Sequence, residues 1–423
     1  MEPLTQNRLL ELFPETARVE EGELVLGGVR AVELAREFGT PLVVYDDQTL
    51  RAQARAYQAA APEALVCYGS KAFPNVALLR LFGEEGLAVD VSTLGELAFA
   101  QRAGFEGDRL VVHGNNKADV ELRAAAEAGA LVALDSLDEI DRALAAGVRR
   151  TMIRVTPGIE ADTHEAVKTA HHGSKFGLPP EDALEALRRV PETEGLHVHV
   201  GSQLLHLGAA LMTVDWLASF AARARAELGW TPRIVDLGGG LGVRHVPEEP
   251  DFAVDDFVRG LVGELERAWH LQGLPEPQLI LEPGRSLVAR AGVTLYSVGT
   301  VKRSTATTTY VSVDGGMSDN PRPALYGARY TALLANRADE EAAAWYSVAG
   351  KHCESGDVLI ERVELPEPRH GDLLAVPVTG AYTLAMSSSY NAVPRPAAVL
   401  VRGGDAQLIR RRETIDDLLA LET

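Results

Sequence analysis

The sequence predicts an α/β fold, a (β/α)8 barrel joined to a second, β-rich domain. Two observations carry this expectation. Eight short apolar runs follow one another from Ala64 to Leu281, separated by helix-like segments such as Ala118–Ala128 and Leu211–Leu228. That alternation is the repeat of a parallel barrel. After Arg285 the rhythm changes to strand-like runs joined by Gly- and Pro-bearing turns, with only short helices between them.

In chain order, Arg18–Arg36 reads as short strands and a turn around Gly27-Gly28. Pro41–Tyr45 is an apolar run followed by a helix through Ala61. The barrel runs are Ala64–Ser70, Leu87–Val91, Leu110–Gly114, Leu131–Leu134, Thr151–Val155, Leu196–Val200, Ile234–Leu237 and Leu279–Leu281. Each ends in a residue able to do chemistry: Lys71, Asp90, His113, Asp135, Arg154, His199 with Ser202, Gly238–Gly240, and Glu282. Strand C-termini of such a barrel meet at one rim, so these distant residues should converge. Ala291–Val301, Tyr310–Val313, Trp345–Ala349, Leu373–Val376 and Ala397–Arg402 read as strands of the β-rich half. The expected division is a barrel over 43–289 and a β-rich domain from 1–42 plus 290–423.

A chain of 423 residues that is 46% hydrophobic has ample material for large cores. Its net charge of −19 argues against nucleic acid and anionic membrane as partners, but leaves a small charged substrate open. Two cysteines, Cys67 and Cys353, imply no disulfide framework and suit a reducing cytoplasm. Met1-Glu2-Pro3-Leu4-Thr5 lacks the basic start and apolar run of a signal peptide. No stretch is apolar for long enough to span a membrane.

Lys71 directly follows an apolar run, Val66–Ser70. A lysine at a strand's C-terminal end aims its amine into the pocket, where it could form a Schiff base with an aldehyde. Desolvation would free such an amine as a nucleophile. The plainer reading is a surface lysine that opens a loop. Asp236-Leu237-Gly238-Gly239-Gly240-Leu241-Gly242 places glycines after a strand, where bare N–H groups can approach a phosphate. It is not a dinucleotide fingerprint, because Val243 stands where the third glycine belongs. Many such turns are merely tight.

Glu282-Pro283-Gly284-Arg285 ends the last barrel strand. Its carboxylate could hold a proton on a heteroaromatic nitrogen, and Arg285 could grip a carboxylate or phosphate. A weak surface ion pair is the alternative. His197 and His199 alternate, so both face one side, and an inward histidine could stack on an aromatic ligand. No zinc spacing accompanies them, and no metal is expected. Lys351–Asp357 places a thiol, Cys353, beside Glu354, where it could donate a proton. Buried inert cysteines are the commoner case, and Cys67 within its strand is assigned to it. Arg322-Pro323-Ala324-Leu325-Tyr326 and Gly380-Ala381-Tyr382 could be a surface arginine and a strand end.

Together these segments resemble the fold-type III pyridoxal-phosphate decarboxylases of basic amino acids, and within them the diaminopimelate-decarboxylating branch. The matching segments occur in the family's order: Tyr68–Asn75, Asp90–Glu96, His113–Lys117, Arg154–Glu160, Ser174–Gly177, His197–Gln203, Asp236–Gly242, Glu282–Arg285, Arg322–Ala328, Cys353–Asp357 and Gly380–Asn391. The resemblance implies a barrel of the alanine-racemase type and the cofactor pyridoxal 5'-phosphate. It implies that Lys71 carries the cofactor as an internal aldimine and that His199 stacks on the ring. Gly238, Gly239, Gly240, Ser202, Gly284 and Arg285 would surround the phosphate. Glu282 would face the pyridine nitrogen, Asp90 would lie in the cofactor site, and Tyr382 would reach the cofactor. Arg285, Arg322 and Tyr326 would hold the substrate's distal carboxylate, and Glu354 its distal amine. Cys353 would be the proton donor, supplied by the partner subunit of a homodimer with shared sites.

The implied reaction converts meso-2,6-diaminopimelate to L-lysine and CO2, the last step of lysine biosynthesis. The sequence departs from the family at Gly69-Ser70-Lys71-Ala72-Phe73, where Ala-Val-Lys-Ala-Asn is frequent. It departs again at Thr93-Leu94-Gly95-Glu96, where Ser-Gly-Gly-Glu is common. Three alternatives stand beside this reading. One is decarboxylation of ornithine, arginine or a carrier-bound amino acid. Another is an alanine-racemase-like enzyme, against which Glu282 speaks. The third is a non-catalytic pyridoxal-phosphate-binding protein, against which the β-rich half speaks.

Overall fold

The structure, a computed structural model, describes residues 6–158, 174–199 and 201–423. Ile159 and Glu160 of the predicted Arg154–Glu160 segment, and Val200 of the sixth apolar run, lie outside the described residues. The chain divides into two compact units. One comprises Gln53–Val243 and Asp251–Ser286, and the other Met1–Ala52, Arg244–Pro250 and Leu287–Thr423.

Near the N-terminus, β1 (Arg18–Glu20), β2 (Glu23–Leu26) and β3 (Val29–Arg30) form a small antiparallel sheet. The expectation of strands through Arg36 fails, because Ala31–Phe38 is a helix. Its buried Ala31 and Leu34 lie three residues apart, a helical rather than a strand spacing. β4 (Leu42–Asp46) follows, then the helix Asp47–Ala60.

The barrel is built from β5 (Leu65–Gly69), β6 (Ala88–Val91), β7 (Leu110–Val112), β8 (Leu131–Leu134), β9 (Arg150–Arg154), β10 (Gly195–His197), β11 (Ile234–Asp236) and β12 (Gln278–Leu281). All eight pair in parallel, and β12 closes on β5. The sequence's strand limits hold to within one to three residues. The largest difference is β10, which ends at His197 rather than Val200. The interior is filled by Cys67, Ala88, Val111, Leu131, Ala133, Met152, Ile234 and Ile280. Cys67 is the buried, inert cysteine expected, and burial pushes its thiol well up. Burial of such side chains supplies the main stabilising force.

Local signals set the barrel helices. The Asn75 side chain accepts the N–H groups of Ala77 and Leu78 and starts Val76–Glu84. Thr93 and Ser136 cap Leu94–Ala103 and Leu137–Ala145 in the same way. Both departures from the family pattern are therefore accommodated. Phe73 is buried with its carbonyl on the Tyr68 hydroxyl, and Thr93 serves as a cap.

The other unit holds β13 (Gly292–Arg303), β14 (Thr309–Val313), β15 (Leu333–Leu334), β16 (Ala344–Ala349), β17 (Val358–Leu365), β18 (Leu373–Val376), β19 (Ala397–Arg402) and β20 (Asp405–Arg410). Its sheet runs β17-β16-β14-β13-β4-β19-β20, with β18 also on β13 and β15 on β18. The sequence analysis missed β15, β17 and β20. β17 shows why: its burial does not alternate cleanly, and charged residues interrupt it. β4 was expected at the start of the barrel domain. It pairs instead with β13 and β19 and contributes Leu42 and Val44 to this unit's core.

Candidate active site

The C-terminal strand ends of the barrel gather side chains that are scattered along the sequence. Lys71, in the single turn Ser70–Ala72 after β5, places Nζ 2.9 Å from Asp90 Oδ2. The lysine side chain is 45% exposed, while Asp90 is buried. This corrects the expectation of a desolvated amine. Lys71 is held by a charge-assisted hydrogen bond to a carboxylate at the end of β6.

Beside them lies a buried group of four: His113, His197, Asp236 and Glu282. His113 Nε2 and Glu282 Oε1 are 2.6 Å apart, and His197 Nε2 is 3.6 Å from Glu282 Oε2. The two imidazole rings lean on each other at 4.5 Å. Asp236 Oδ1 accepts the Gly238 N–H at 2.7 Å. Burial alone would push Glu282 up, but the two histidines hold its carboxyl well below the usual range. Asp236 goes the other way: burial and the Glu282 charge push it well up. Burial, with His113 and Arg154 nearby, pushes His197 well down.

These four groups are chemically able to hold a metal ion. They come from four different strands, so no spacing within one segment could have revealed them. Their short histidine–carboxylate contact describes a hydrogen-bonded network. The sequence analysis singled out Glu282 but missed the roles of His197 and Asp236. The sequence signal was that each is a polar residue within an apolar run, Leu196–Val200 or Ile234–Leu237.

His199 follows β10, and its Nδ1 accepts the Gly239 N–H at 3.3 Å. Burial and the nearby Lys71 and Arg154 cations push it down to about 3, so it is neutral at ordinary pH. The glycine turn after β11 is required by close approach. At Gly238, with φ +67°, a Cβ would lie 2.4 Å from His199 Nδ1. At Gly239 it would lie 2.3 Å from the Glu282 carbonyl oxygen. Arg285, 7% exposed, donates from Nη2 to Ser202 Oγ at 3.1 Å. The Gly69 N–H donates to the Pro283 carbonyl, which ties the Glu282–Arg285 turn to β5. Lys71, Asp90, His199, Ser202, Gly238–Gly240, Glu282, Gly284 and Arg285 thus share one rim.

Behind this rim, Lys117 Nζ reaches both Glu139 oxygens at 3.0 Å and the carbonyls of Gly114 and Ala133. This buried pair binds the segment after β7 to the end of β8. Arg154 stands 3.6 Å from Asp135 Oδ1 and lies over the Phe176 ring.

The remaining predicted residues belong to the other unit. Arg322, 6% exposed, donates from Nη1 to Tyr330 Oη at 2.6 Å and lies 2.8 Å from His245 Nε2. Tyr326 closes the same short helix, Arg322–Tyr326. Cys353 and Glu354 are exposed on a turn that Asp357 shapes, its carboxylate accepting the N–H groups of Met317 and His352. The Cys353 N–H donates to Asn391 Oδ1 at 3.1 Å, and His352 Nε2 meets Ser318 Oγ at 2.8 Å. Tyr382 is half-buried and adopts φ +57°, a backbone region costly for an aromatic residue.

Comparison with known proteins agrees with this geometry. Residues 47–289 match the family model described as pyridoxal-dependent decarboxylase, pyridoxal binding domain. A diaminopimelate decarboxylase of Actinosynnema pretiosum subsp. auranticum is 48% identical, covering 97% of this chain and 95% of that one. That of Bacillus subtilis (strain 168) is 40% identical, covering 95% and 96%. The solved diaminopimelate decarboxylase of M. jannaschii in complex with L-lysine superposes with a TM-score of 0.91 at 32% identity, covering 97% and 98%. Fold and comparisons define a pyridoxal-phosphate-dependent carboxy-lyase with a barrel of the alanine-racemase type. The chain belongs to the diaminopimelate decarboxylase family. Among the described residues, no helix is long and apolar enough to cross a membrane.

Proposed function

We propose that this chain removes CO2 from meso-2,6-diaminopimelate to give L-lysine, working in the cytoplasm as a homodimer with shared sites. The observation that carries the residue roles is the barrel rim itself. A lysine amine, a neutral histidine, a glycine turn with no room for side chains and a buried carboxylate converge there. That donor set fits pyridoxal phosphate. When bound, the cofactor supplies an aldehyde for a lysine amine and a ring that accepts the electron pair left as CO2 departs.

Lys71 supplies the amine, oriented by Asp90. His199, uncharged, offers a flat face to a ring without adding a competing cation. The N–H groups of Gly238–Gly240, with Ser202, Gly284 and Arg285, bind phosphate oxygens. The Arg285–Ser202 contact supports a place on the phosphate side. Glu282, kept anionic by its histidines, holds a proton on the ring nitrogen and so favours loss of CO2 over racemisation.

In the other unit, Tyr382 reaches toward the cofactor. Arg322 and Tyr326, with Arg285, take the distal carboxylate, and Glu354 takes the distal amine. Arg322 is held in place by Tyr330 and His245, so little side-chain entropy is lost when it binds. Cys353, exposed on its shaped turn, donates a proton to Cα from the partner subunit. Ornithine and lysine lack the distal carboxylate and would leave the arginine charges without a counter-charge.

The test is CO2 release from meso-diaminopimelate, ornithine, arginine and lysine side by side. Release from diaminopimelate alone, abolished by Lys71→Ala together with the visible absorbance of the bound cofactor, is the expected result. Equal release from ornithine would overturn the arginine assignment.

A further inference from the structure

Arg322 is a buried cation that its own unit leaves without an anion. It is 6% exposed, yet among the described residues no carboxylate lies within ion-pair distance of it. The nearby carboxylates are engaged elsewhere. Glu248 pairs with Arg329 at 3.2 Å, and Glu249 Oε2 accepts the His245 N–H at 2.8 Å. A buried charge without a counter-charge is costly, so a position that keeps one points to an anionic ligand.

The contacts of Arg322 are confined to one corner of its guanidinium. Nη1 donates to Tyr330 Oη at 2.6 Å and lies 2.8 Å from His245 Nε2. Nη1 carries two hydrogens, and these two acceptors use both. Among the described residues, Nε and Nη2 make no hydrogen bond. They form the edge that can take a carboxylate in bidentate fashion.

The same contact fixes the state of His245. A guanidinium has no lone pair and stays charged, so it can only donate. His245 Nε2 must therefore accept, and the imidazole proton must sit on Nδ1. Nδ1 stands 4.0 Å from Glu249 Oε2. His245 is 4% exposed, and the Tyr330 ring lies at 90° to it with centroids 5.4 Å apart. Both acceptors on Nη1 are thus neutral. They hold the guanidinium without cancelling its charge, whereas a carboxylate in place of His245 would compete with a bound anion.

We propose that His245 is the positioning residue of the distal clamp, a neutral imidazole protonated on Nδ1 that aims the Nε–Nη2 edge of Arg322 and leaves its charge for a ligand's distal carboxylate. This deepens the proposed function and rests on its assignment of Arg322.

L-lysine and cadaverine separate this role from general support of the fold. Both present a terminal amine to the cofactor, but only L-lysine, the product, carries the distal carboxylate. Their affinities for the holoenzyme can be read from the change in bound-cofactor absorbance, without turnover. His245→Leu should weaken L-lysine about tenfold or more, the scale of a lost hydrogen bond to a charged group, and leave cadaverine within about twofold. His245→Gln, whose amide oxygen can accept in place of Nε2, should bind L-lysine within about threefold of the parent. Equal weakening of both ligands in His245→Leu, weakening of neither, or a His245→Gln as weak as His245→Leu overturns the proposal. Arg322→Gln separates the two levels. Unchanged L-lysine binding there would sink the distal clamp itself. A loss there with none in His245→Leu would sink the role of His245 alone. The tautomer is a second readout, independent of any ligand. In 15N spectra of histidine-labelled protein at about pH 8, the signal missing from His245→Gln should be that of a neutral ring with its proton on Nδ1. A proton on Nε2, or on both nitrogens, overturns the proposal, and this readout decides if His245→Leu does not fold.

Discussion

The barrel rim and the turn that carries Cys353 use carboxylates in opposite ways. At the rim, Asp90, Asp236 and Glu282 come from three strands and meet a lysine amine, a glycine N–H and two histidines. In the β-rich unit, Asp357 accepts the N–H groups of Met317 and His352, and Asp319 accepts the N–H of Gly316 and the hydroxyl of Tyr296. There the carboxylates shape a turn and leave Cys353 and Glu354 exposed. The rim concentrates buried charge in one place, while the turn uses charge to leave the Cys353 side chain exposed. The same residue type does both, and its partners decide which.

Four variants would break or sharpen that contrast. Lys71→Ala should have the largest effect. Activity should fall on the order of 10^4-fold or more, because the residue acts as one unit with the cofactor. Assay of CO2 release over long incubations would show it, and a loss of less than tenfold would refute the role.

Asp319→Asn tests the turn as a pH-dependent structural element. Burial raises the native pKa of Asp319 to about 7, so the folded chain binds a proton that the unfolded chain releases near the ordinary aspartate value. Stability from this group is therefore present at low pH and falls as pH rises through the window up to about 7. The span amounts to about 4 kcal/mol. Denaturant titrations of parent and Asp319→Asn across that window should differ in slope, the variant being flatter. Parallel slopes would show that the acid is not held protonated.

Cys353→Ala should lower kcat by about 10^2-fold, the scale of a lost general acid, with cofactor binding unchanged. Equal loss of cofactor affinity would place the thiol in the wrong role. Arg322→Lys should be milder. Losing part of a charge-assisted contact should cost about 2 kcal/mol in kcat/KM for diaminopimelate, and less for ornithine. A KM unchanged for both substrates would remove Arg322 from the distal clamp.

Much of this molecule was legible in the sequence. Eight apolar runs separated by helical segments specify a parallel barrel, because each strand buried on both faces must be apolar along its length. Lys71, Glu282 and the glycines after Asp236 stood out because a strand-end position and a turn composition are local properties. The helix at Ala31–Phe38 was also local, since Ala, Glu, Leu and Arg are strong helix formers, but the strand reading extends across it. Other features were not local. β4 joins β13 and β19 across more than two hundred residues of chain, a pairing no periodicity encodes.

The sequence by itself determined the barrel repeat, the order of the chemical groups around its rim and the change to a β-rich half, since these depend on spacing and residue type. Only the tertiary structure decided that His113, His197, Asp236 and Glu282 form one buried group, that Lys71 is paired rather than desolvated, and that Arg322 is braced by His245 and Tyr330. The physical reason is that charge state follows distance and burial. Both are set by the closing of the barrel and the pairing of the sheet, not by neighbours along the chain.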